Sequence, residues 1–148
     1  MRIAIGSDHA GFALKETLKA WLVGEGHDVT DVGTTSAERV DYPEFGASVG
    51  RLVVAGHVDR GVVVCGSGQG ICMAANKIPG VRAAVLRTAE DAEMSRRHND
   101  ANVACFGGRV TAVSEAERAL GIFLGTDFEG GRHERRVDLL AELDAEGR

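Results

Sequence analysis

Proline is almost missing from this chain, with two residues in 148, and aromatics make up only 5%. So little proline argues against a proline-rich linker or tail, and the 20 glycines point instead to many tight strand-to-helix turns. No apolar run is long enough for a signal peptide or a membrane span, since the N-terminus turns polar at Ser7-Asp8-His9. The three cysteines, Cys65, Cys72 and Cys105, are an odd number and lie in apolar or glycine-rich surroundings. That usage suits a reducing cytoplasm better than a disulfide scaffold. The cysteines also lack close metal-ligand spacing, so no structural zinc is expected. A net charge of −5 argues against general binding to nucleic acid or an anionic membrane, though local charge can still hold an anionic small molecule.

What is present suits one globular domain over residues 1–148: 44% apolar and 26% charged residues give a core of ordinary size, too small for two. Short β-branched runs alternate with longer amphipathic ones. Strands are expected at Arg2–Gly6, His27–Val32, Gly61–Cys65, Val81–Leu86 and Asn102–Phe106, each apolar and bounded by glycine or polar residues. Leu14, Leu18, Trp21 and Leu22 fall on one helical face, with Lys15, Glu16 and Lys19 opposite. Further helices are expected at Glu44–His57, Gly70–Lys77, Thr88–Arg97 and Val113–Leu124. A last one, Arg132–Glu146, carries Val137, Leu140 and Ala141 on one stripe.

Five β–α units in sequence imply an α/β fold, a three-layer α/β/α sandwich on a doubly wound, Rossmann-like parallel sheet. Ligands of such sheets bind where the strands end. The turns Ser7-Asp8-His9, Gly66–Gly70 and Gly107-Gly108-Arg109 all follow strands and can converge there.

Within Cys65-Gly66-Ser67-Gly68-Gln69-Gly70, the glycines let backbone N–H groups turn toward an anion, and the following helix start adds positive partial charge. Cys65 stands beside that field, which favours its thiolate, and Ser67 can donate to an oxyanion. The competing reading makes Cys65 a small buried hydrophobe. A dinucleotide fingerprint is disfavoured because its third glycine would fall on Ile71, and the next strand ends in Leu86-Arg87 without an acid.

Elsewhere the local readings stay divided. Asp8 and His9 are either chemistry or a helix-capping turn. His98, where a helix ends, is either a proton donor or a C-cap, with Asn99 beside it. Arg132 and Arg136 share one helical face and suit a phosphate, or simply form a solvated basic face. Arg109 is a third phosphate candidate, and Tyr42-Pro43 reads as a turn before the second helix whose hydroxyl can reach a substrate.

Taken in order, these segments resemble the type B ribose-5-phosphate isomerase family, which also holds galactose-6-phosphate isomerase subunits and allose-6-phosphate isomerase. The resemblance rests on Gly6-Ser7-Asp8-His9-Ala10-Gly11, Asp41-Tyr42-Pro43, Cys65 to Gly70, Ala74-Ala75-Asn76-Lys77, Ser95 to Asn99 and Gly130 to Arg136. Each segment alone is weak, but the ordered set spans nearly the whole chain.

The resemblance implies an aldose–ketose isomerase of the pentose phosphate pathway, interconverting ribose 5-phosphate and ribulose 5-phosphate without metal or cofactor. It makes Cys65 the base, in the branch of the family that uses cysteine; the other branch has a glutamate where Ile71 stands here. It gives the enediolate oxygens to Ser67 and the backbone of Gly66, Gly68 and Gly70, and ring opening to His98 with Asp8. Phosphate falls to His9, Arg109, Arg132 and Arg136, and sugar hydroxyls to Asn99 and Tyr42. It further implies strand order 2-1-3-5-4 and a homodimer or homotetramer, with the last helix at a subunit interface and active sites shared there. A hexose 6-phosphate isomerase, a silent sugar-phosphate sensor and a nucleotide-binding module remain as alternatives.

Overall fold

The computed structural model describes residues 1–147. Its five strands are β1 (Arg2–Ser7), β2 (Asp28–Asp31), β3 (Arg60–Cys65), β4 (Ala83–Val85) and β5 (Val103–Gly107). All pair in parallel, in the order β2-β1-β3-β5-β4. The helices are α1 (Phe12–Gly24), α2 (Tyr42–Val54), α3 (Gln69–Asn76), α4 (Ala89–Arg97), α5 (Val113–Gly125) and α6 (Arg132–Glu146). The alternating sandwich and its strand order match the expected architecture.

Alternate side chains of each strand feed opposite cores, as a pleat requires. Ile3, Ile5, Val62, Val64 and Phe106 pack beneath α1, α4 and α5 with Leu18, Leu22, Leu120 and Phe123. Ala4, Val63, Cys65, Val103 and Cys105 face α2 and α3 with Val49, Ile71, Cys72 and Ala75. Cys65 therefore ends its strand on the α2–α3 side. Glycine lets that layer approach closely: a Cβ on Gly46 would stand 2.7 Å from the Ile71 carbonyl oxygen.

Several boundaries differ from the pattern for local reasons. β4 is shorter than Val81–Leu86 because side-chain amides take its first donors: Asn102 Oδ1 accepts from Arg82 N–H (2.7 Å) and Asn76 Oδ1 from Ala83 N–H (2.8 Å). Tyr42-Pro43 is not a turn before α2 but its first turn, a place where proline costs no hydrogen bond. α2 then stops at Val54 rather than His57, since the N–H groups of Ala55 and Gly56 close back on Arg51 and Val53. In α6 the stripe of Val137, Leu140 and Ala141 is not buried; Leu139, Leu140 and Leu143 are exposed, and His133 is the helix's one buried residue among those described.

Lys15 is fully buried, yet its ammonium is matched: Nζ lies 2.7 Å from Asp31 Oδ2 and 3.4 Å from Glu16 Oε1. Burial alone would push the Asp31 carboxyl up, but hydrogen bonds from Lys15, the Gly33 N–H and Lys19 outweigh it and hold it below the usual carboxylate range. Because the folded value is depressed, the stabilisation is complete above the unfolded carboxylate value of about 4 and fades as pH falls through the folded one. Asp31→Ala leaves the buried ammonium with its weaker partner only, and should cost about 3 kcal/mol in urea unfolding at pH 7, less at pH 3. A loss that does not shrink on acidification would contradict this pairing.

Candidate active site

The turns after β1, β3 and β5 meet at the carboxyl edge of the sheet. They enclose a cleft of about 350 Å³ lined by Asp8, His9, Tyr42, Cys65, Gly66, Ser67, Gly70 and Arg109, with Ala10 and Val110. Cys65 is nearly buried at its base. Its sulfur accepts the Gly68 N–H at 3.1 Å, a bond that strengthens as negative charge develops on sulfur. That N–H is aimed by the left-handed conformation of Gly68 (φ 83°), where a Cβ would stand 3.0 Å from the Phe106 carbonyl carbon. Ser67 accepts the Gln69 N–H at 3.2 Å and stays exposed to the cleft. The start of α3 follows directly, so the loop presents N–H groups and a helix N-terminus to one small volume.

The walls are as specific as the floor. Tyr42 lays its ring over Gly70, where a Cβ would meet the ring at 2.7 Å. Arg109 runs against Gly66, its Nη1 3.3 Å from the Cβ position there. Asp8 is buried and Oδ1 accepts the Gly11 N–H at 2.9 Å, so it braces the turn into α1 while lining the cleft. His9 is steered by Val40, whose carbonyl oxygen and N–H lie 3.1 and 3.2 Å from Nδ1. A protonated ring can donate to that carbonyl, and a neutral one can accept the N–H and keep its proton on Nε2. Either state leaves the ring in place to receive an anion.

His98, Asn99, Arg132 and Arg136 are not in this cleft. In a parallel sheet each helix runs back against the strands, so α4 delivers His98 and Asn99 to the amino edge. There Asn102, just before β5, receives the Gly61 N–H of β3. Cys65 pairs with Gly107 four residues further along, roughly 13 Å away at strand rise. Asn99 instead lines a second groove, between the β4 edge and α6, with Leu140 and Asp144. The sequence-derived residues thus form two groups within one chain.

The second group is held by contacts that the motif reading did not assign. Glu129 N–H donates to the Arg97 carbonyl (3.0 Å), and its carboxylate pairs with Arg97 at 3.0 Å. Gly130 and Gly131 then take positive φ angles of 69° and 58° and turn the chain into α6. This sets buried His133 flat on His98, ring centroids 4.3 Å apart and planes 13° from parallel. Burial, then His98, Arg132 and Arg136, push the His133 imidazole below its ordinary value despite Glu129, so it is neutral near pH 7. His98, Glu129 and His133 bring donor atoms within 4.8 Å of one another. Nearly parallel rings keep their lone pairs in separate planes, however, and Arg97 already occupies Glu129, so this trio does not suit a shared metal ion.

A family model described as ribose/galactose isomerase matches residues 3–140, nearly the full chain. The chain belongs to the ribose/galactose isomerase family. It is 45% identical to ribose-5-phosphate isomerase B of Escherichia coli, over 97% of this chain and 96% of that one. Among solved structures, ribose-5-phosphate isomerase B of Clostridium thermocellum superposes with a TM-score of 0.99 at 45% identity, covering all of both chains. The Mycoplasma genitalium ribose-5-phosphate isomerase B with bound ribulose-5-phosphate matches at 37% identity and a TM-score of 0.92, covering 98% of this chain and 97% of that one.

The loop of this family member has a direct test. Gly68→Ala forces φ out of the left-handed region and removes the N–H from sulfur. Losing a hydrogen bond to a charged group should slow Cys65 alkylation by iodoacetamide about tenfold at pH 7, read on the Cys65 peptide by mass spectrometry. An unchanged rate would mean that Gly68 does not support the thiolate.

Proposed function

We propose that this chain is a ribose-5-phosphate isomerase, converting the aldose to ribulose 5-phosphate by proton transfer through an enediolate. The observation that carries the reading is one cleft holding a candidate base (Cys65), an oxyanion cradle (Ser67 and the N–H groups of Gly66 to Gly70) and anion binders (His9 and Arg109). Its relatives named ribose-5-phosphate isomerase B support the choice of sugar.

The furanose opens when the C1–O4 bond breaks: O4 gains a proton from His98 as the O1 proton departs toward Asp8, leaving the aldehyde. Cys65 thiolate removes the C2 proton, and the charge moves onto O1, facing the loop N–H groups and Ser67. The proton held on sulfur returns to C1 while the O2 proton passes to O1, giving the ketose. Arg109, Arg132, Arg136 and His9 hold the phosphate dianion through charge-assisted bonds. Tyr42 and Asn99 hold sugar hydroxyls. Base, acid and cradle all come from this chain's own groups, so the reaction needs no metal.

His98 lies at the opposite edge of its own sheet from Asp8 and Cys65, so a complete site requires two copies of the chain. We therefore read the protein as a homodimer or homotetramer in which each 1–148 domain gives its amino-edge group to a neighbour's cleft. The uncovered leucines of α6 are suited to that interface. Three free thiols favour a cytoplasmic setting.

With chelator present, the protein should turn ribose 5-phosphate into ribulose 5-phosphate, and Cys65→Ala should lose about 10³-fold or more in kcat. Turnover surviving in Cys65→Ala would discard the base, and faster turnover of allose 6-phosphate would change the sugar.

A further inference from the structure

His133 has no role in the chemistry above, yet it is buried on a helix whose other described residues are half-buried or exposed. Its backbone is set by Gly130, whose carbonyl accepts the His133 N–H at 3.1 Å. Its Nε2 is buried without a hydrogen-bond partner; the Glu129 carboxylate is 3.9 Å away, too far for one. A buried ring with an unused nitrogen contributes through its face, and that face is covered by His98. The His98 ring is half-buried at the C-cap of α4, where the His133 ring covers one face and the Glu129 carboxylate lies within 4.8 Å.

We infer that His133 is a positioning residue for ring opening: its flat face fixes the His98 imidazole at the angle needed to protonate the sugar ring oxygen. The inference rests on the isomerase reading, and it adds a residue that touches neither the sugar nor the reacting atoms. A neutral ring suits the task, because it can lie under a protonated His98 without repelling it and offers it a π face. Without the wall, His98 swings about its χ angles, and small misplacements of a catalytic group cost about 100-fold in rate.

The chemistry of the substrate separates this role from general damage. Ribose 5-phosphate is a closed furanose and must be opened, whereas ribulose 5-phosphate has its O5 esterified and stays open-chain. Exchange of a C1 proton of ribulose 5-phosphate with solvent deuterium therefore needs Cys65 and the cradle but not ring opening.

His133→Ala should lower kcat for ribose 5-phosphate about 30- to 100-fold with KM little changed. In the same protein, C1 exchange followed by proton NMR in D2O should stay within about threefold of wild type. His133→Phe, which keeps a flat ring and drops the nitrogens, should restore most of the forward rate. Equal loss of both activities in His133→Ala would overturn the inference and make the residue structural. A raised KM at unchanged kcat would overturn it in favour of phosphate binding by the nitrogen, as would His133→Phe failing to rescue. Wild-type protein inactive in both assays would instead bring down the isomerase reading, and Cys65→Ala retaining exchange would discard Cys65 as the base.

Discussion

Parallel strands impose a direction on everything attached to them. Each strand releases its turn at the carboxyl edge of the sheet, and each following helix carries the chain back to the amino edge. In this protein that constraint sorts the chemistry. Asp8 and Arg109 follow strands and Cys65 ends one, so they share one cleft without being near in sequence. His98 ends a helix, so it arrives at the other edge, and no side-chain motion spans the length of β3. On the proposed reading, the site is completed where the carboxyl edge of one copy meets the amino edge of another.

The two groups of residues are built by different physics. The Cys65 group is a backbone device: left-handed Gly68 turns its N–H onto sulfur, and the α3 N-terminus adds field. Its precision comes from close backbone approach, with Gly107 and Gly108 packed against the Ser67 and Ala10 backbones. The His98 group is a side-chain device, tied together by the Arg97–Glu129 pair and the flat contact with His133. Backbone loops hold their geometry in an isolated chain. Stacked rings on a helix end depend more on what covers them.

Much of the architecture is legible in the sequence. The alternation of apolar runs and amphipathic segments yields the sandwich, and the strand-end rule brings Asp8, His9, Cys65, Ser67 and Arg109 together. The strand order comes only from the family resemblance, since a doubly wound sheet admits several. The same strand-end rule, applied in reverse to His98 and Asn99, sends them to the opposite edge. His133 is hidden by its neighbours: between Arg132 and Arg136 in a basic run, nothing local marks it as the one residue facing inward. The α6 stripe of Val137, Leu140 and Ala141 is legible as an apolar face, but helical periodicity does not report what covers it. Short-range competition shifts the remaining boundaries, as where Asn76 and Asn102 side chains take the donors at the start of β4.

The most direct test of a shared site is complementation between two dead variants. Cys65→Ala and His98→Ala would be purified separately, mixed, dissociated, reassembled and assayed on ribose 5-phosphate. If each site joins Cys65 of one copy to His98 of another, mixed dimers hold one intact site in two, and random pairing returns about a quarter of wild-type activity. If the mixture stays as inactive as its parents, while wild type carried through the same cycle recovers, then Cys65 and His98 act within one chain and the two-copy site is wrong.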